Sequence, residues 1–195
     1  MGTIRLELLK EYAVGSTFIE TGSMEGWTMS TAAQHGFKTM HGIELMKKPY
    51  EFSLELQKHN PNVHFHLGES PDILPKIVEN LTEPATFWLD AHASGPNIPG
   101  GKYGKCPLVQ ELQAINLSPC KNHVIIIDDI RLFSTHEWDF LDKQLVMDEL
   151  YKINPDYKIV YADGEEDGTF PNDILIATTF IWGLTAETFS VIVKT

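Results

Sequence analysis

The stretch Thr17-Phe18-Ile19-Glu20-Thr21-Gly22-Ser23-Met24-Glu25-Gly26-Trp27 decides how the chain is read. A short apolar run closes on the acid Glu20, a glycine turn follows, and a helix begins. In an open α/β sheet a nucleotide-like ligand binds at the carboxyl end of the first strand. Gly22 and Gly26 lack a Cβ, so the backbone can turn sharply there and a ligand can come close. The helix that follows presents unpaired N–H groups at its start.

The spacing is Glu-x-Gly-x-x-x-Gly, and Ser23 and Met24 break the Gly-x-Gly-x-x-Gly pattern of dinucleotide sites. An acid closing the strand, with no phosphate-hugging glycine triplet, suits a cofactor that carries an amino group and no pyrophosphate. S-adenosylmethionine has that chemistry. A merely structural glycine turn is the competing reading, and the rest of the chain weighs between them.

Outward from this stretch, apolar runs alternate with helical patterns. Ile4, Leu8 and Tyr12 recur at helical spacing before Gly15, which predicts a short helix over 4–13. After strand one (17–20) a helix is expected over about 25–35, stopped by Gly36. Strand two, 39–44, ends on Glu44. Pro49 fits the first turn of the next helix, which runs to about 59. Strand three, 63–67, leads into Gly68-Glu69-Ser70 and a helix to about 81; Pro75 favours Asp72 over Ser70 as its cap. Strand four, 86–90, ends on Asp90. The Gly- and Pro-rich stretch 92–106 is too long for a simple connection and reads as a lid. A helix over 107–117, strand five over 123–128, a helix over 137–153 and strands over 157–162 and 173–179 complete the chain. Alternation to strand five calls for parallel strands with right-handed crossovers, and the loop 163–172 permits an antiparallel pair at the end.

Composition narrows the function. The chain has 195 residues, 43% hydrophobic and 22% charged, which predicts one globular domain over 1–195. A formal net charge of −12 disfavours nucleic acid as a substrate and favours a small molecule or sugar. No apolar run is long enough to span a bilayer, and the first 13 residues lack a signal peptide's apolar core. Cys106 and Cys120 form neither a disulfide framework nor a Cys-x-x-Cys pair, so the expected location is a reducing cytoplasm.

The order of these pieces resembles a class I S-adenosylmethionine-dependent methyltransferase from Thr17 to about Phe180. The resemblance implies a Rossmann-like three-layer α/β sandwich with a seven-stranded, mostly parallel sheet. Its strand order is 3-2-1-4-5-7-6, with strand seven antiparallel. Glu20, Gly22, Ser23 and Gly26 resemble the segment that holds the methionine end of the cofactor. Glu44 resembles the acid that binds the ribose hydroxyls, and Gly68, Glu69 and Ser70 the segment near adenine. There Glu69, where aspartate is commoner, would accept from the adenine amino group. The chain departs from many members of that family in having little sequence before strand one, so their N-terminal substrate cap is expected to be short or missing.

In the family order strands four and five are neighbours, so Asp90 and the pair Asp128-Asp129 converge at one end of the sheet. Unpaired, such carboxylates raise one another's pKa, and a hard divalent cation resolves the conflict. All-oxygen ligands suit magnesium first, then manganese or calcium. Their spacing resembles that of the metal-dependent macrocin-type sugar O-methyltransferases. Asp90 is thereby expected among the cofactor contacts, the metal ligands and, with His92, the catalytic groups. His92 is expected as the base that takes the acceptor's proton, with a ligand role as the alternative. In the plainer reading Asp128 pairs with Arg131 and Asp129 is a loop residue.

His64 and His66 alternate with Val63 and Phe65, so they share a strand face. A homodimer is a further expectation, with the apolar tail 180–193 as its interface and a place for that tail in the core as the alternative. Rival functions are an N- or phenol O-methyltransferase, a non-catalytic cofactor-binding protein and a nicotinamide oxidoreductase. The segment Asp90-Ala91-His92-Ala93 is unlike an Asn-Pro-Pro-Tyr segment, which disfavours methylation of base amino groups, and the missing glycine triplet disfavours nicotinamide.

Overall fold

A computed structural model describes residues 4–93, 100–164 and 169–180. The expected lid falls partly, at 94–99, and the tail at 181–193, outside the described residues. Helix α1 (Leu6–Tyr12) precedes β1 (Thr17–Thr21), α2 (Trp27–His35), β2 (Thr39–Glu44), α3 (Lys47–His59) and β3 (Val63–Leu67). Then come α4 (Ser70–Val78), β4 (Thr86–Leu89), α5 (Leu108–Ile115), β5 (Val124–Ile127), α6 (Lys143–Ile153), β6 (Lys158–Ala162) and β7 (Ile174–Thr178). The seven strands form one sheet in the order β3-β2-β1-β4-β5-β7-β6. The first five pair in parallel, and β7 runs antiparallel to both β5 and β6. This is the expected topology.

Two apolar layers explain why the sheet sits where it does. Side chains alternate across a strand, so Phe18, Met40, Phe65, Trp88 and Ile126 pack toward Leu9, Met29 and Ala32 of α1 and α2. Ile19, Ile43, Phe87, Ile125 and Ile127 pack toward Leu74, Leu112 and Leu150 of α4, α5 and α6. β5 is buried on both faces, and its run Val124-Ile125-Ile126-Ile127 has no polar face to show. Each of these branched side chains contributes about 1.5–3 kcal/mol by leaving water.

Element edges depart from the sequence reading in three informative places. The expected helix over 137–153 is broken: a 3-10 turn covers His136–Trp138, and α6 starts only at Lys143. Asp139 and Phe140 take left-handed backbone angles (φ 50° and 58°), which no α-helix continues. Asp142 then caps α6, accepting from the Gln144 N–H at 2.8 Å. α4 begins at Ser70 rather than at Asp72, because the Glu69 carbonyl already accepts from the N–H groups of Asp72 and Ile73. Pro75 therefore lies inside the helix, and Asp72 does not cap it. β4 stops at Leu89, which leaves Asp90 as the first residue beyond the strand.

Gly36 ends α2 in the left-handed conformation (φ 101°), as its position predicts. Gly22 does more. At φ 75° its backbone passes the Asp90 carbonyl so closely that a Cβ would lie 2.3 Å from that oxygen. Only glycine lets the β1 turn and the end of β4 lie together.

Candidate functional site

The parallel strands end on one side of the sheet, and there a cavity of about 330 Å³ opens. Its wall draws Gly22 from the end of β1, Glu44 from β2, and Gly68, Glu69 and Ser70 from the end of β3. Asp90 and His92 come from beyond β4, and Asp128 and Asp129 from beyond β5. Because β7 is antiparallel, its first end also lies here and supplies Asp173. Glu20, Ser23 and Gly26 stand behind the wall. Glu20 and Ser23 are buried, and the position a Gly26 Cβ would take abuts the Phe65 ring.

The acids on the β1–β3 side are held by backbone. Glu44 accepts from the Met24 N–H at 2.8 Å and from the Met46 N–H at 2.7 Å, so one carboxylate joins the two loops that follow β1 and β2. Burial raises its pKa, although these bonds oppose the rise. Burial lifts Glu20 well above the usual carboxylate range, with Asp90 and Glu44 adding repulsion.

Glu69 accepts from the Lys102 N–H at 2.8 Å. Beside it Asp72 takes the Tyr103 hydroxyl at 2.7 Å and the Lys102 ammonium at 2.6 Å. The acid expected at adenine thus tethers the strap 100–104, and the Asp139 carboxylate takes the far end through the Lys105 N–H at 2.7 Å. Ser70 donates to the buried Glu111 of α5. Burial pushes Glu111 up to about 7 against that hydrogen bond.

On the β4–β5 side Asp90, His92 and Asp129 each offer a ligand atom, all within 4.8 Å of one another. His92 Nε2 lies 2.9 Å from Asp129 Oδ2, and its Nδ1 lies 3.2 Å from Asp90 Oδ1. That Nδ1 is buried and has no aligned hydrogen bond, so it is close to a carboxylate without being satisfied by it. Burial lowers the imidazole's pKa, but the hydrogen bond to Asp129 and the nearby charges of Asp90 and Asp129 outweigh burial and raise it to about 9. The ring backs onto Trp138, 5.5 Å between centroids.

Asp128 is turned inward. It is 4% exposed, and its Oδ1 accepts the Asp129 N–H at 2.9 Å. Burial, then repulsion from Asp90 and Asp129, raises it to about 8. Asp129 takes a left-handed backbone (φ 57°), a strained choice for a side-chain-bearing residue that aims its carboxylate back at His92. Burial would raise its pKa, but His92 and Arg131 hold it below the usual range.

Arg131 pairs with Asp129 and Asp173 rather than with Asp128, and its guanidinium lies 4.2 Å over the Phe170 ring. Arg131 in this role, Asp173, Glu111 and Trp138 are the site residues that sequence spacing missed. An acid directly before the last apolar run was the available signal for Asp173; nothing local pointed to Glu111 or Trp138.

The residues fit a divalent cation. Two carboxylates and an unsatisfied buried imidazole nitrogen converge, with His92 and Arg131 as the cationic partners of the acids. Among the described residues no helix is long and apolar enough to cross a membrane.

No protein-family model and no curated protein matches the chain. Solved structures do. An O-methyltransferase from Bacillus cereus in complex with SAH superposes with a TM-score of 0.57 at 15% identity, over 89% of this chain and 77% of that one. An amino pentose methyltransferase from Micromonospora echinaspora, bound to SAM, gives 0.55 at 10% identity over 85% and 84%. Aeropyrum pernix fibrillarin with natively bound S-adenosyl-L-methionine gives 0.53 at 11% identity over 84% and 66%. At such identities the likeness is one of architecture: this chain has the seven-stranded Rossmann-like fold found in those methyltransferases.

Proposed function

We propose that the protein is an S-adenosylmethionine-dependent methyltransferase that transfers a methyl group to a hydroxyl of a sugar or other small molecule with the help of a divalent cation, magnesium first. The observation that carries this reading is the convergence of Asp90, His92 and Asp129 in the same cavity as Gly22, Glu44 and Glu69. The fold shared with O- and N-methyltransferases supports the cofactor half.

Each strand end has a role in this reading. Gly22, with Glu20, Ser23 and Gly26 behind it, shapes the turn for the methionine end of the cofactor. Glu44 faces the ribose while its two backbone bonds keep it oriented. Gly68, Glu69 and Ser70 border the adenine. Asp90 and Asp129 hold the cation, with Asp128 beneath them. Bound there, the cation would lower the pKa of a coordinated acceptor hydroxyl, and the sulfonium supplies an already activated methyl. His92 would be the base that accepts the hydroxyl proton. The strap 100–104 covers the cavity and limits water. A formal net charge of −12 favours a neutral acceptor over a phosphate backbone. A cytoplasmic monomer or homodimer built on one domain completes the proposal.

The 4.8 Å convergence favours a second reading in which His92 is itself a ligand. One set of measurements separates them. S-adenosylmethionine and magnesium binding are measured by calorimetry on wild type, Asp129→Asn and His92→Ala. Turnover of vicinal-diol acceptors is then followed with and without EDTA. The base reading expects His92→Ala to keep magnesium and lose turnover; the ligand reading expects both to go. Full turnover in EDTA removes the cation, and no S-adenosylmethionine binding by wild type sinks the proposal.

A further inference from the structure

The spacing that puts His64 and His66 on one face of β3 has a third member on the neighbouring strand. β2 and β3 pair in parallel with His41 opposite His64 and Ile43 opposite His66. Alternation sends Met40, Val63 and Phe65 into the layer beneath α1 and α2. His41, Ile43, His64 and His66 share the opposite face, where Ile43 joins the layer of Leu74. β3 is the edge of the sheet, and beyond Ile43 this face runs out to solvent. His64 is exposed there, and His41 and His66 are half-buried.

The three rings form a row with His41 in the middle. Its centroid is 5.3 Å from that of His64 and 5.3 Å from that of His66, with interplanar angles of 32° and 29°. His41 Nδ1 lies 3.0 Å from His66 Nε2. Two imidazole nitrogens bound to one tetrahedral zinc at ordinary bond lengths stand about 3.3 Å apart. The spacing is therefore within a few tenths of an ångström of a chelate, which both rings complete by turning their nitrogens toward the ion, and His64, with its ring centroid 5.3 Å from that of His41, is the neighbouring donor. None of the three lines the cavity described above. We propose that His41 and His66, with His64 as a third donor, form a separate surface site for a borderline transition-metal ion such as zinc, nickel or copper.

The chemistry of the donors sets this site apart from the acid cluster. Imidazole donors without a carboxylate select zinc, nickel or copper over magnesium and calcium. Burial, helped by the charges of His66 and His64, holds His41 down at about 4, and burial and His64 lower His66. The hydrogen shared between His41 Nδ1 and His66 Nε2 has to move to another ring nitrogen before both can bind one ion. An ion here would tie the edge strand β3 to β2 and keep coordination positions open to water or a ligand.

The test uses the full chain without a histidine tag, in an Asp129→Asn background that disables the acid cluster. Zinc binding is measured by calorimetry, and the imidazole nitrogens are followed by NMR. One equivalent of zinc is expected, with the nitrogen signals of His41 and His66 shifting together. His66→Ala should weaken binding at least about tenfold and His64→Ala less. Magnesium should shift neither histidine. If His66→Ala does not fold, the nitrogen shifts in the Asp129→Asn protein decide alone. A hydrogen-bonded imidazole pair with no metal function would take up no zinc; that result, or zinc uptake unchanged by His66→Ala, overturns the proposal.

Discussion

Glu111 allows the electrostatics of the site to be tested without substrate. It is 1% exposed on α5, accepts the Ser70 hydroxyl, and is pushed by burial from 4.5 to about 7. The folded state therefore holds a proton that the unfolded chain releases near 4.5. Stability from this group is full below the unfolded value and is lost as pH rises through the folded one. Between about pH 5 and about pH 8 the loss is on the order of 2–3 kcal/mol. Glu111→Gln keeps the shape and the acceptor for Ser70 but cannot ionise. Urea unfolding of wild type and variant at the two pH values isolates the effect, because Glu20 and Asp128 titrate in both. Wild type should lose about 2–3 kcal/mol more than Glu111→Gln across the interval, which is a difference of roughly 1 M in midpoint shift. Equal pH slopes for the two proteins would refute the reasoning, since Glu111 would then ionise at the same pH folded and unfolded.

Other outcomes follow from single features. Gly22→Ala combines a left-handed φ with a Cβ 2.3 Å from a backbone oxygen; it should cost at least about 3 kcal/mol and lower the melting temperature by roughly 6–12 °C. The His92 imidazole should titrate near 9 in protein stripped of metal, so its contribution to stability is full below the ordinary histidine value and fades as pH rises through 9. Added magnesium should lower that pKa in an NMR titration, and an unmoved value would separate His92 from any cation. Arg131→Gln should raise the Asp129 pKa toward the ordinary carboxylate value, read from its side-chain carbon shift, because His92 alone then opposes burial. Tyr103→Phe removes the hydroxyl that Asp72 accepts; cofactor exchange should quicken in stopped-flow binding while the melting temperature stays put.

What the sequence revealed and what it hid follow one physical line. Strands declare themselves locally, because a central strand is apolar nearly throughout and an acid at or near its end breaks that run. That is why Glu20, Glu44, Asp90 and Asp128-Asp129 were visible before any fold was known. Gly22 was visible for the same reason, since it opens the turn two residues after such an acid. Partnerships across the chain were not visible. Ser70 and Glu111 are 41 residues apart, and Arg131 and Asp173 are 42 apart. His41 joins His64 only through the register of β2 against β3. The break before α6 was hidden too, because Asp139 and Phe140 adopt left-handed angles without a glycine to announce them. Glu69 lies at the cavity wall, and its bond to the Lys102 N–H depends on a strap whose path no spacing rule predicts.

The reversed direction of β7 has a consequence for how the protein is made. The strand slots between β5 and β6, yet it is the last of the seven to leave the ribosome. Until it arrives, β5 has an open edge and Asp173 is missing from beside Arg131. The nascent chain thus carries a complete cradle on its first three strands and a half-assembled cluster of acids on the other side. Insertion of β7 closes the sheet edge and delivers the final carboxylate in one event. A ribosome-stalled chain ending before Asp173 would contain the strand ends that hold Gly22, Glu44 and Glu69 and still lack the carboxylate that pairs with Arg131, so the two sides of the cavity would mature at different moments of synthesis.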